Sequence, residues 1–417
     1  MGQWGWFPLA HFAVKQEVKA FDCDVEEPYV IKGEKSLETA LLTEDQIAIR
    51  DTVRAFMEKE VKPVMGQYDA SGEFPVELYK KAFDMGLHVL NIPEEFGGAG
   101  LDHCTMAVAL EEMGRVDPGF AITMLSTAVT LQDVLVGGTD EQKQRAADII
   151  IPGGHGSFSM TEPDAGSDAV ALTTTAVEDG DEYILNGTKC FATNGGYADL
   201  YVIIATVDKT LRSKGTVAFM VEGGAKGLHI GAHEDKMGLR LSNTVTLYLE
   251  DLRVPKKNML GGVGDGLRIA LHSLDVGRLF NAAVSVGIAQ HALEESVAYA
   301  KVRRQFGKPI IDNQAVQIML ADMQMNTEAA RSMLHRAMRL VDEGVDHVSM
   351  EASCCKTFAS DNAVRCACDA VQIFGGYGYS KEYPVEKIMR DAKIFQIFEG
   401  TNQIQRLVIA RELKKRY

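Results

Sequence analysis

A basic surface and a long apolar run are both missing from this sequence, and each absence excludes a class of protein. Asp and Glu outnumber Lys and Arg by 58 to 43, which gives a formal net charge of -15. Because phosphate binding requires a basic surface, nucleic acid is not expected as the main partner. No run approaches the roughly 20 consecutive apolar residues of a membrane-spanning helix, so no membrane span is predicted.

The first residues also lack a leader-like pattern. They carry five acids (Glu17, Asp22, Asp24, Glu26 and Glu27) and no basic segment before an apolar core. Secretory and mitochondrial leaders have the opposite character. We therefore expect a cytoplasmic protein of a prokaryote, and the mitochondrial matrix is the less favoured alternative.

The sequence also lacks the cysteine motifs of metal sites and the glycine motifs of common nucleotide-binding folds. The seven cysteines form no C-x-x-C pair, so buried, reduced thiols are predicted. His229 and His233 lack a surrounding H-E-x-x-H motif, so no metal site is predicted. The glycine-rich stretches 96–102, 261–266 and 374–380 fit neither a Rossmann fingerprint nor a Walker A loop. A bound dinucleotide would therefore need another kind of site.

The order of patterns along the chain predicts a mainly α protein with a β domain in the middle. Helical spacing dominates residues 41–155, where Thr43 and Gln46 form a capping box. Short β-branched runs fill 156–265, with hairpin dipeptides at Asp179-Gly180 and Asn186-Gly187, which predicts an antiparallel sheet or barrel. Long helices return over 266–417 and predict a four-helix bundle.

Two short stretches carry candidate chemistry. In "FSMTEPDAGSD", residues 158–168, backbone N–H groups and hydroxyls could form a nest for a pyrophosphate or a flavin edge, or could belong to a plain surface loop. In "IFEGTNQIQR", Glu399 stands between Phe398 and Gly400 just before a predicted helix. It is either a surface acid or a general base whose pKa is raised by apolar surroundings.

Five motifs in order resemble the signatures of the acyl-CoA dehydrogenase family. They are "TEPDAGSD", "FATNGG", "RRQFGKP", "QIFGGYGYSKEYPVEKIMRDAK" and "IFEGTNQIQR". The resemblance covers about 41–417 and implies an N-terminal α-helical domain, a middle antiparallel β-barrel domain and a C-terminal four-helix bundle. It also implies non-covalent FAD, an acyl-CoA substrate, electron-transferring flavoprotein as acceptor and a homotetramer built as a dimer of dimers.

The resemblance assigns cofactor roles residue by residue. The 158–168 loop and Phe191 would line the flavin, with Thr193 at its hydrogen-bonding edge. Arg303 and the segment from Gln372 to Gly376 would reach the FAD of a neighbouring subunit. The implied cofactor-binding residues are Phe158, Met160, Thr161, Gly166, Ser167, Phe191, Thr193, Arg303, Gln305, Phe306, Gln372, Gly375, Gly376, Thr401 and Gln403.

In the family, a base removes the α-proton of an acyl-CoA thioester while the β-hydrogen leaves as hydride to the flavin. Glu399 occupies the base position, and Gly277 occupies the alternative position, where it offers no carboxylate. The implied substrate-binding residues are Ser167, Asp275, Arg278, Phe398 and Gly400. Glutaryl-type members carry an arginine where this chain has Ala121 and Ile122, so a short-chain, branched or cyclic monocarboxylic acyl group is expected.

Several alternatives stay open at this level. The enzyme could run as an enoyl-CoA reductase, or the fold could serve an acyl-CoA oxidase, a CoA-thioester lyase or a dehydratase. A helical scaffold without FAD is a further alternative from another class. Residues 1–40, which hold both tryptophans, depart from the family as an atypical N-terminal extension. That extension would pack on its own tetramer or dock a partner or a membrane surface.

Overall fold

The computed structural model describes residues 42–345 and 347–417. The atypical extension predicted over 1–40, and its role, therefore lie outside the described residues. Eleven α-helices are present in the described part. They are α1 (Glu44–Phe56), α2 (Met65–Ser71), α3 (Val76–Asp84), α4 (His103–Val116), α5 (Pro118–Gly137), α6 (Asp140–Ile150), α7 (Gly266–Val302), α8 (Gln314–Asp342), α9 (Ser349–Phe374), α10 (Val385–Ala392) and α11 (Asn402–Arg416).

Shorter helical turns connect these helices. One π-helical turn, Met57–Val61, continues α1. The 3₁₀ turns are Glu94–Phe96, Lys209–Gly215, Lys256–Asn258, Ile310–Asp312, Gly375–Tyr379 and Lys393–Gln396.

The start of α1 forms as its sequence predicts. The Thr43 side chain accepts from the Gln46 N–H at 3.2 Å, and the Gln46 side chain accepts from the Thr43 N–H at 3.1 Å. This reciprocal pair is a capping box, which satisfies two donors that a helix start would otherwise leave unpaired. The capping-box prediction is confirmed.

Helix α5 corrects the expectation that no stretch of the chain is long and apolar enough to cross a membrane. Pro118–Gly137 has 20 residues and a mean hydropathy of 1.5 over its most apolar window. However, 83% of that window is buried inside the protein, where α4, α7 and β1 pack around it. Its apolar composition therefore reflects a position in the core, and an isolated helix of this kind is weak evidence for a membrane.

The strands gather in one mixed sheet between the two helical regions. Its order is β6-β7-β3-β2-β4-β5-β8, and β1 pairs with β4. The strands are β1 (Gly156–Ser159), β2 (Thr175–Asp179), β3 (Glu182–Thr193), β4 (Leu200–Thr206), β5 (Thr216–Glu222), β6 (Leu228–His233), β7 (Thr244–Pro255) and β8 (Met259–Leu260), with β9 (Arg304–Gln305) and β10 (Lys308–Pro309) in a separate hairpin.

The sheet departs from the predicted antiparallel barrel in two ways. β1 runs parallel to β4, from Gly156 opposite Leu200 to Ser159 opposite Ile203, and β2 meets β4 in a parallel pair. No pairing between the end strands β6 and β8 closes the sheet within the described residues. The fold class is nevertheless confirmed, because two helical regions flank one β region in the predicted order.

One hairpin prediction is confirmed and one is wrong. Asp179 ends β2, Gly180 has φ 61°, and β3 starts at Glu182, so this dipeptide turns the chain as expected. Asn186-Gly187 instead lies inside β3, where the register to β7 shifts between Leu185 and Gly187. Gly187 has φ 155°, and a Cβ there would lie 2.5 Å from Thr174 Oγ1. The glycine therefore marks a bulge with a close approach.

Four long helices, α7, α8, α9 and α11, form the C-terminal bundle, with α7 and α9 at its centre. Helix α7 also packs antiparallel on α5. A Cβ on Gly277 would lie 3.0 Å from Val129 Cγ2, and one on Gly137 would lie 2.4 Å from Ile269 Cδ1. These two contacts fix a register that places Asp133 opposite Ser273. The domain boundaries at 155 and 265 remain predictions.

The cysteines are less uniformly buried than predicted. Among the described residues Cys104, Cys355 and Cys366 are buried, Cys190 and Cys354 are half-buried, and all are unbridged. Cys368 is exposed on α9, which corrects the expectation of burial for that residue.

Candidate functional site

The Glu399 turn joins the 3₁₀ turn Lys393–Gln396 to the start of α11. Glu399 has φ 54° and Gly400 has φ 86°, so two consecutive residues adopt the left-handed region. Such a conformation is costly for glutamate and persists only where the surroundings hold it. Phe398 packs edge-on against the buried Phe395 with ring centres 5.1 Å apart, which keeps one side of the turn apolar.

The Glu399 carboxylate lies against the α5–α7 contact. A Cβ on Gly277 would lie 3.4 Å from its Oε2 and 3.6 Å from its Oε1. Oε2 is buried without a hydrogen-bond partner among the described residues. Burial raises the pKa of Glu399 to about 7, and the nearby positive charges of Lys356 and Arg278 oppose that rise. At neutral pH the carboxyl is therefore ionised in part.

Arg278 and Asp275 extend this site on α7. Arg278 Nη1 donates to Asp275 Oδ1 at 2.5 Å, and Arg278 Nε donates to the Glu399 carbonyl at 3.3 Å. Ser349 of α9 donates to the other oxygen of Asp275. The predicted substrate-binding residues Asp275, Arg278 and Gly400 thus lie beside the predicted base.

Helix α11 begins directly after the turn. Thr401 is its N-cap, with Oγ1 accepting from the Ile404 N–H at 3.2 Å. The backbone N–H groups at such a helix start favour an anion. Thr401 is half-buried and Gln403 is exposed.

A buried ion pair fastens the 158–168 loop to β3. Lys189 Nζ donates to Glu162 Oε1 at 2.6 Å and to the Met160 carbonyl at 3.2 Å. The neighbouring Cys190 N–H donates to the Thr161 carbonyl at 2.8 Å. The structure therefore brings the predicted residues Met160 and Thr161 next to the strand that carries Phe191.

Phe191 and its neighbours form an apolar surface with polar edges. Phe191 has φ 56° and leaves 67% of its surface exposed, which is unusual for an aromatic side chain. Phe158, Met160, Thr161 and Thr193 are half-buried, whereas Gly166 and Ser167 are exposed. This set suits a planar ring that stacks on Phe191 and takes hydrogen bonds from the surrounding hydroxyls.

The remaining predicted cofactor residues lie elsewhere on the chain. Arg303 ends α7, and its guanidinium lies 5.3 Å from the ring centre of Tyr377, beside Gly375 and Gly376. Along α7, Arg303 is 26 residues from Gly277, or roughly 39 Å at about 1.5 Å per residue. Gln305, Phe306, Gln372, Gly375 and Gly376 are exposed. This distal set therefore does not join the Glu399 site within one chain.

Positive φ angles mark three of the predicted site residues that are not glycine. Eight described non-glycine residues have φ above zero, and Phe191, Phe306 and Glu399 are among them. Such outliers concentrate at functional positions, where the surrounding structure holds the strain. The sequence patterns contain no direct signal for this conformation.

Two buried lysines beside these segments were missed at the level of sequence. Lys189 and Lys356 are both fully buried. A faint signal exists for Lys356, which lies on the alanine-rich face of α9 with Ala352, Ala359 and Ala363, a face that should contain no charge.

Three family models match the chain in sequence. They describe the acyl-CoA dehydrogenase N-terminal domain (residues 43–153), middle domain (157–252) and C-terminal domain (264–414). Together they extend over most of the part that the structure describes.

Individual proteins are similar over almost the same length. A short-chain specific acyl-CoA dehydrogenase of Clostridium acetobutylicum is 42% identical over 375 residues, 89% of this chain and 98% of the relative. Acryloyl-CoA reductase (NADH) of Anaerotignum propionicum is 43% identical over 378 residues, 90% and 96% of the two chains. A chain in a solved structure described as the electron transferring flavoprotein of Acidaminococcus fermentans superposes with a TM-score of 0.87 at 45% identity, covering 89% of this chain and 98% of that one.

Proposed function

Because this chain belongs to the acyl-CoA dehydrogenase family, flavoprotein oxidoreductases that act on CH–CH bonds, we propose that it oxidises a short-chain acyl-CoA thioester to the 2-enoyl-CoA with FAD. The observation that carries this proposal is the Glu399 carboxyl. Its Oε2 is buried without a partner, its pKa is raised to about 7, and it faces the side-chain-free surface of Gly277. A carboxylate of this kind is a strong base that is still ionised in part at neutral pH.

The residues around Phe191 fit FAD. The exposed Phe191 ring offers a face for the isoalloxazine, and the hydroxyls of Thr161, Ser167 and Thr193 offer hydrogen bonds at its edge. The Lys189–Glu162 pair would hold Met160 and Thr161 in place beside it. When bound, FAD supplies a two-electron acceptor for the β-hydrogen.

The protein's own residues would remove the α-proton. Glu399 would take this proton on its carboxylate. Within the described residues, the backbone N–H of Glu399 has no hydrogen-bond acceptor, so it is free to donate to the thioester carbonyl. That donor would stabilise the negative charge that develops on the oxygen as the proton leaves. Arg278 would fix the turn through the Glu399 carbonyl.

The substrate is proposed to be a monocarboxylic acyl-CoA with a short chain. Ala121 and Ile122, where an arginine would pair with a distal carboxylate, are apolar and buried in α5. A second carboxylate there would lose its hydration without gaining a partner. The similarity to a short-chain specific relative supports the same size class.

The distal set favours a multi-subunit site. Arg303, Gln305, Phe306, Gly375 and Gly376 are too far along the fold to serve the Glu399 site of their own chain. Phe306 is 94% exposed, as expected for a side chain that another subunit covers. We infer a homotetramer in which these residues complete the FAD site of a neighbour.

Electron-transferring flavoprotein is the proposed acceptor. The support is the structural similarity to a chain in a solved structure that is described as an electron transferring flavoprotein. A cytoplasmic location in a bacterium is proposed from the bacterial relatives.

The test is anaerobic titration of the flavin-loaded protein with linear, branched and cyclic acyl-CoA thioesters, followed by the visible flavin absorbance. Short linear chains are expected to bleach the flavin, and glutaryl-CoA is expected to leave it unchanged. A protein that binds flavin but is bleached by no acyl-CoA would contradict the proposal.

The reductase direction is the second candidate, and the 43% identity to acryloyl-CoA reductase favours it. The same base would then return the proton to the α-carbon. Oxidation of the dithionite-reduced enzyme by a short-chain 2-enoyl-CoA at a rate well above that of the forward reaction would select this direction.

A further inference from the structure

Lys356 of α9 carries a buried ammonium group that the proposed chemistry does not use. Its side chain is fully buried, and Nζ donates to the Gly400 carbonyl at 2.9 Å and to Asn402 Oδ1 at 2.8 Å. A buried ammonium without a carboxylate in direct contact is rare, because desolvation of the charge is costly. Its position directly under the Glu399 turn therefore needs an explanation.

The two carbonyls of this turn receive an unusual number of donors. The Glu399 carbonyl accepts from Gln405 Nε2 at 2.9 Å and from Arg278 Nε at 3.3 Å. The Gly400 carbonyl accepts from Lys356, and from Gln405 Nε2 at 3.3 Å. Ser353 Oγ in turn donates to Gln405 Oε1 at 2.8 Å. These bonds hold two consecutive peptide groups in a left-handed turn that glutamate alone would not adopt.

The same arrangement leaves the carboxylate without a donor. Lys356 and Arg278 each donate to a main-chain oxygen of the turn and to one side-chain oxygen, Asn402 Oδ1 and Asp275 Oδ1 respectively. Neither donates to Oε2 of Glu399, which has no partner among the described residues. Their charges therefore act on the carboxylate through space only. This favours its ionised form without blocking the oxygen that must accept a proton.

Among the described residues, the other groups around the carboxylate supply one further cation, Arg278 on α7. Its charge also lowers the pKa of Glu399, but it is shared with Asp275, whose Oδ1 lies 2.5 Å from Arg278 Nη1. Helix α5 presents Val129, and its nearest titratable residue, Asp133, lies one turn further along. Helix α11 contributes the neutral Asn402 and Gln405. Burial also lowers the pKa of Lys356, to about 8. Its ammonium group is therefore mostly protonated at pH 7.

We propose that Lys356 is a positioning residue of this site: it holds the Glu399–Gly400 turn and supplies the buried positive charge that offsets burial of the Glu399 carboxylate. This inference rests on the proposed function, in which Glu399 is the base. It assigns Lys356 no contact with substrate.

The test is the pH dependence of kcat/KM for the flavin-loaded Lys356→Met variant, with a short-chain acyl-CoA as substrate. Loss of the charge is expected to move the midpoint for ionisation of the base up by about one pH unit or more. At pH 7 the rate is expected to fall at least about fivefold, and most of it is expected to return at pH 9. The FAD content is expected to match that of the wild type.

Ser353→Ala is the matched control. It loosens Gln405, and with it the turn, but removes no charge, so the rate can fall while the pH midpoint stays unchanged. If Lys356→Met does not fold, Lys356→Gln serves instead, because its amide is neutral and keeps a donor in the pocket.

An unchanged pH midpoint in the folded Met or Gln variant would overturn the inference, and so would an equal shift in Ser353→Ala. Failure of the proposed function is distinguishable, because the wild-type flavin would then be reduced by no acyl-CoA at any pH.

Discussion

Glu162 and Glu399 are two glutamates with buried carboxylate oxygens beside the proposed FAD and substrate sites, and their surroundings shift their pKa values in opposite directions. Glu162 accepts from Lys189 at 2.6 Å, from the Thr173 N–H and Oγ1 at 2.6 Å each, and from the Thr174 N–H at 3.1 Å. Burial opposes its ionisation, but Lys189 and the threonine donors prevail and hold its pKa at about 2. The nearest cations to Glu399 instead bond to the main chain, and its pKa is about 7.

The difference shows that the pKa of a buried acid depends on which atom a neighbouring cation donates to, as much as on the presence of that cation. Lys189 donates to the carboxylate itself, so the charge is fixed and the acid becomes a structural anchor. Burial lowers the pKa of Lys189 to about 8, which still leaves the pair ionised at neutral pH. Lys356 donates to the peptide carbonyl next to the acid, so the carboxylate keeps an oxygen free for the proposed role as base.

The largest effect is expected for Glu399→Gln, which removes the base and keeps the shape. Flavin bleaching by a short-chain acyl-CoA is expected to slow roughly 10²- to 10⁴-fold in stopped-flow absorbance, with FAD content and acyl-CoA binding retained. Glu412→Gln, at a half-buried position near the end of α11 where the carboxylate pairs with Lys415, is the control and is expected to bleach as wild type. Bleaching at a near-normal rate in Glu399→Gln would show that the base lies elsewhere.

The second prediction removes the cation from the other glutamate. Lys189→Met leaves Glu162 buried and unpaired, so the free energy of unfolding is expected to fall by about 3–5 kcal/mol in denaturant titrations, together with loss of FAD. The Lys189→Met, Glu162→Gln double variant is expected to recover much of this stability, because no charge is left unpaired. A double variant no more stable than Lys189→Met would show that the loss does not come from an unpaired charge on Glu162.

The third prediction concerns the sign of the pH effect. The folded-state pKa of Glu399, about 7, lies above the ordinary glutamate value of 4.5. Its contribution to stability is thus fully present below pH 4.5 and is lost as the pH rises through 7. At pH 8, Glu399→Gln is expected to be about 2–3 kcal/mol more stable than wild type, and at pH 4.5 the two should coincide.

The contribution of Glu162 to stability should change with pH in the opposite direction, because its folded-state pKa of about 2 lies below the ordinary glutamate value of 4.5. Its contribution is present above pH 4.5 and is lost as the pH falls through 2. Denaturation curves of the wild type and the two Glu→Gln variants across this range measure both signs. If the stability differences of the two variants from the wild type changed with pH in the same direction, the contrast between Glu162 and Glu399 would be wrong.

The smallest effect is expected at Asp133, a third buried acid. Both of its oxygens are buried without a hydrogen-bond partner of good geometry among the described residues. Burial raises its pKa well above the ordinary value, and the nearby Ser273 hydroxyl opposes that rise. Asp133→Asn is expected to stabilise the protein by about 1–2 kcal/mol at pH 7, a modest gain because the buried amide still needs hydrogen-bond partners. The gain is expected to be smaller at pH 4, where protonation of the Asp133 carboxyl costs the wild type little. Thermal unfolding at the two pH values is the measurement, and a loss of stability at pH 7 would show that the carboxyl is ionised and paired.

Motif order and residue pattern were enough to predict the fold class and the position of the candidate base. Helical spacing, the Thr43 capping box and the Asp179-Gly180 turn depend on neighbours a few residues apart, so the local sequence carries them. The hairpin predicted at Asn186-Gly187 was wrong because a dipeptide suited to a tight turn is equally suited to a bulge. Only the pairing with β7 selects between the two. The sheet's parallel pairs likewise depend on which distant strands meet.

The sequence by itself determined which residue types stand where: an acid at 399, a glycine at 277 and a helix-capping threonine at 43. Only the tertiary structure decided what these residues can do. It placed Gly277 against the Glu399 carboxylate, directed Lys356 at a carbonyl and Lys189 at a carboxylate, and kept Arg303 far from the Glu399 of its own chain. The physical reason is that a pKa depends on burial and on contacts between residues distant in sequence, which no local pattern encodes.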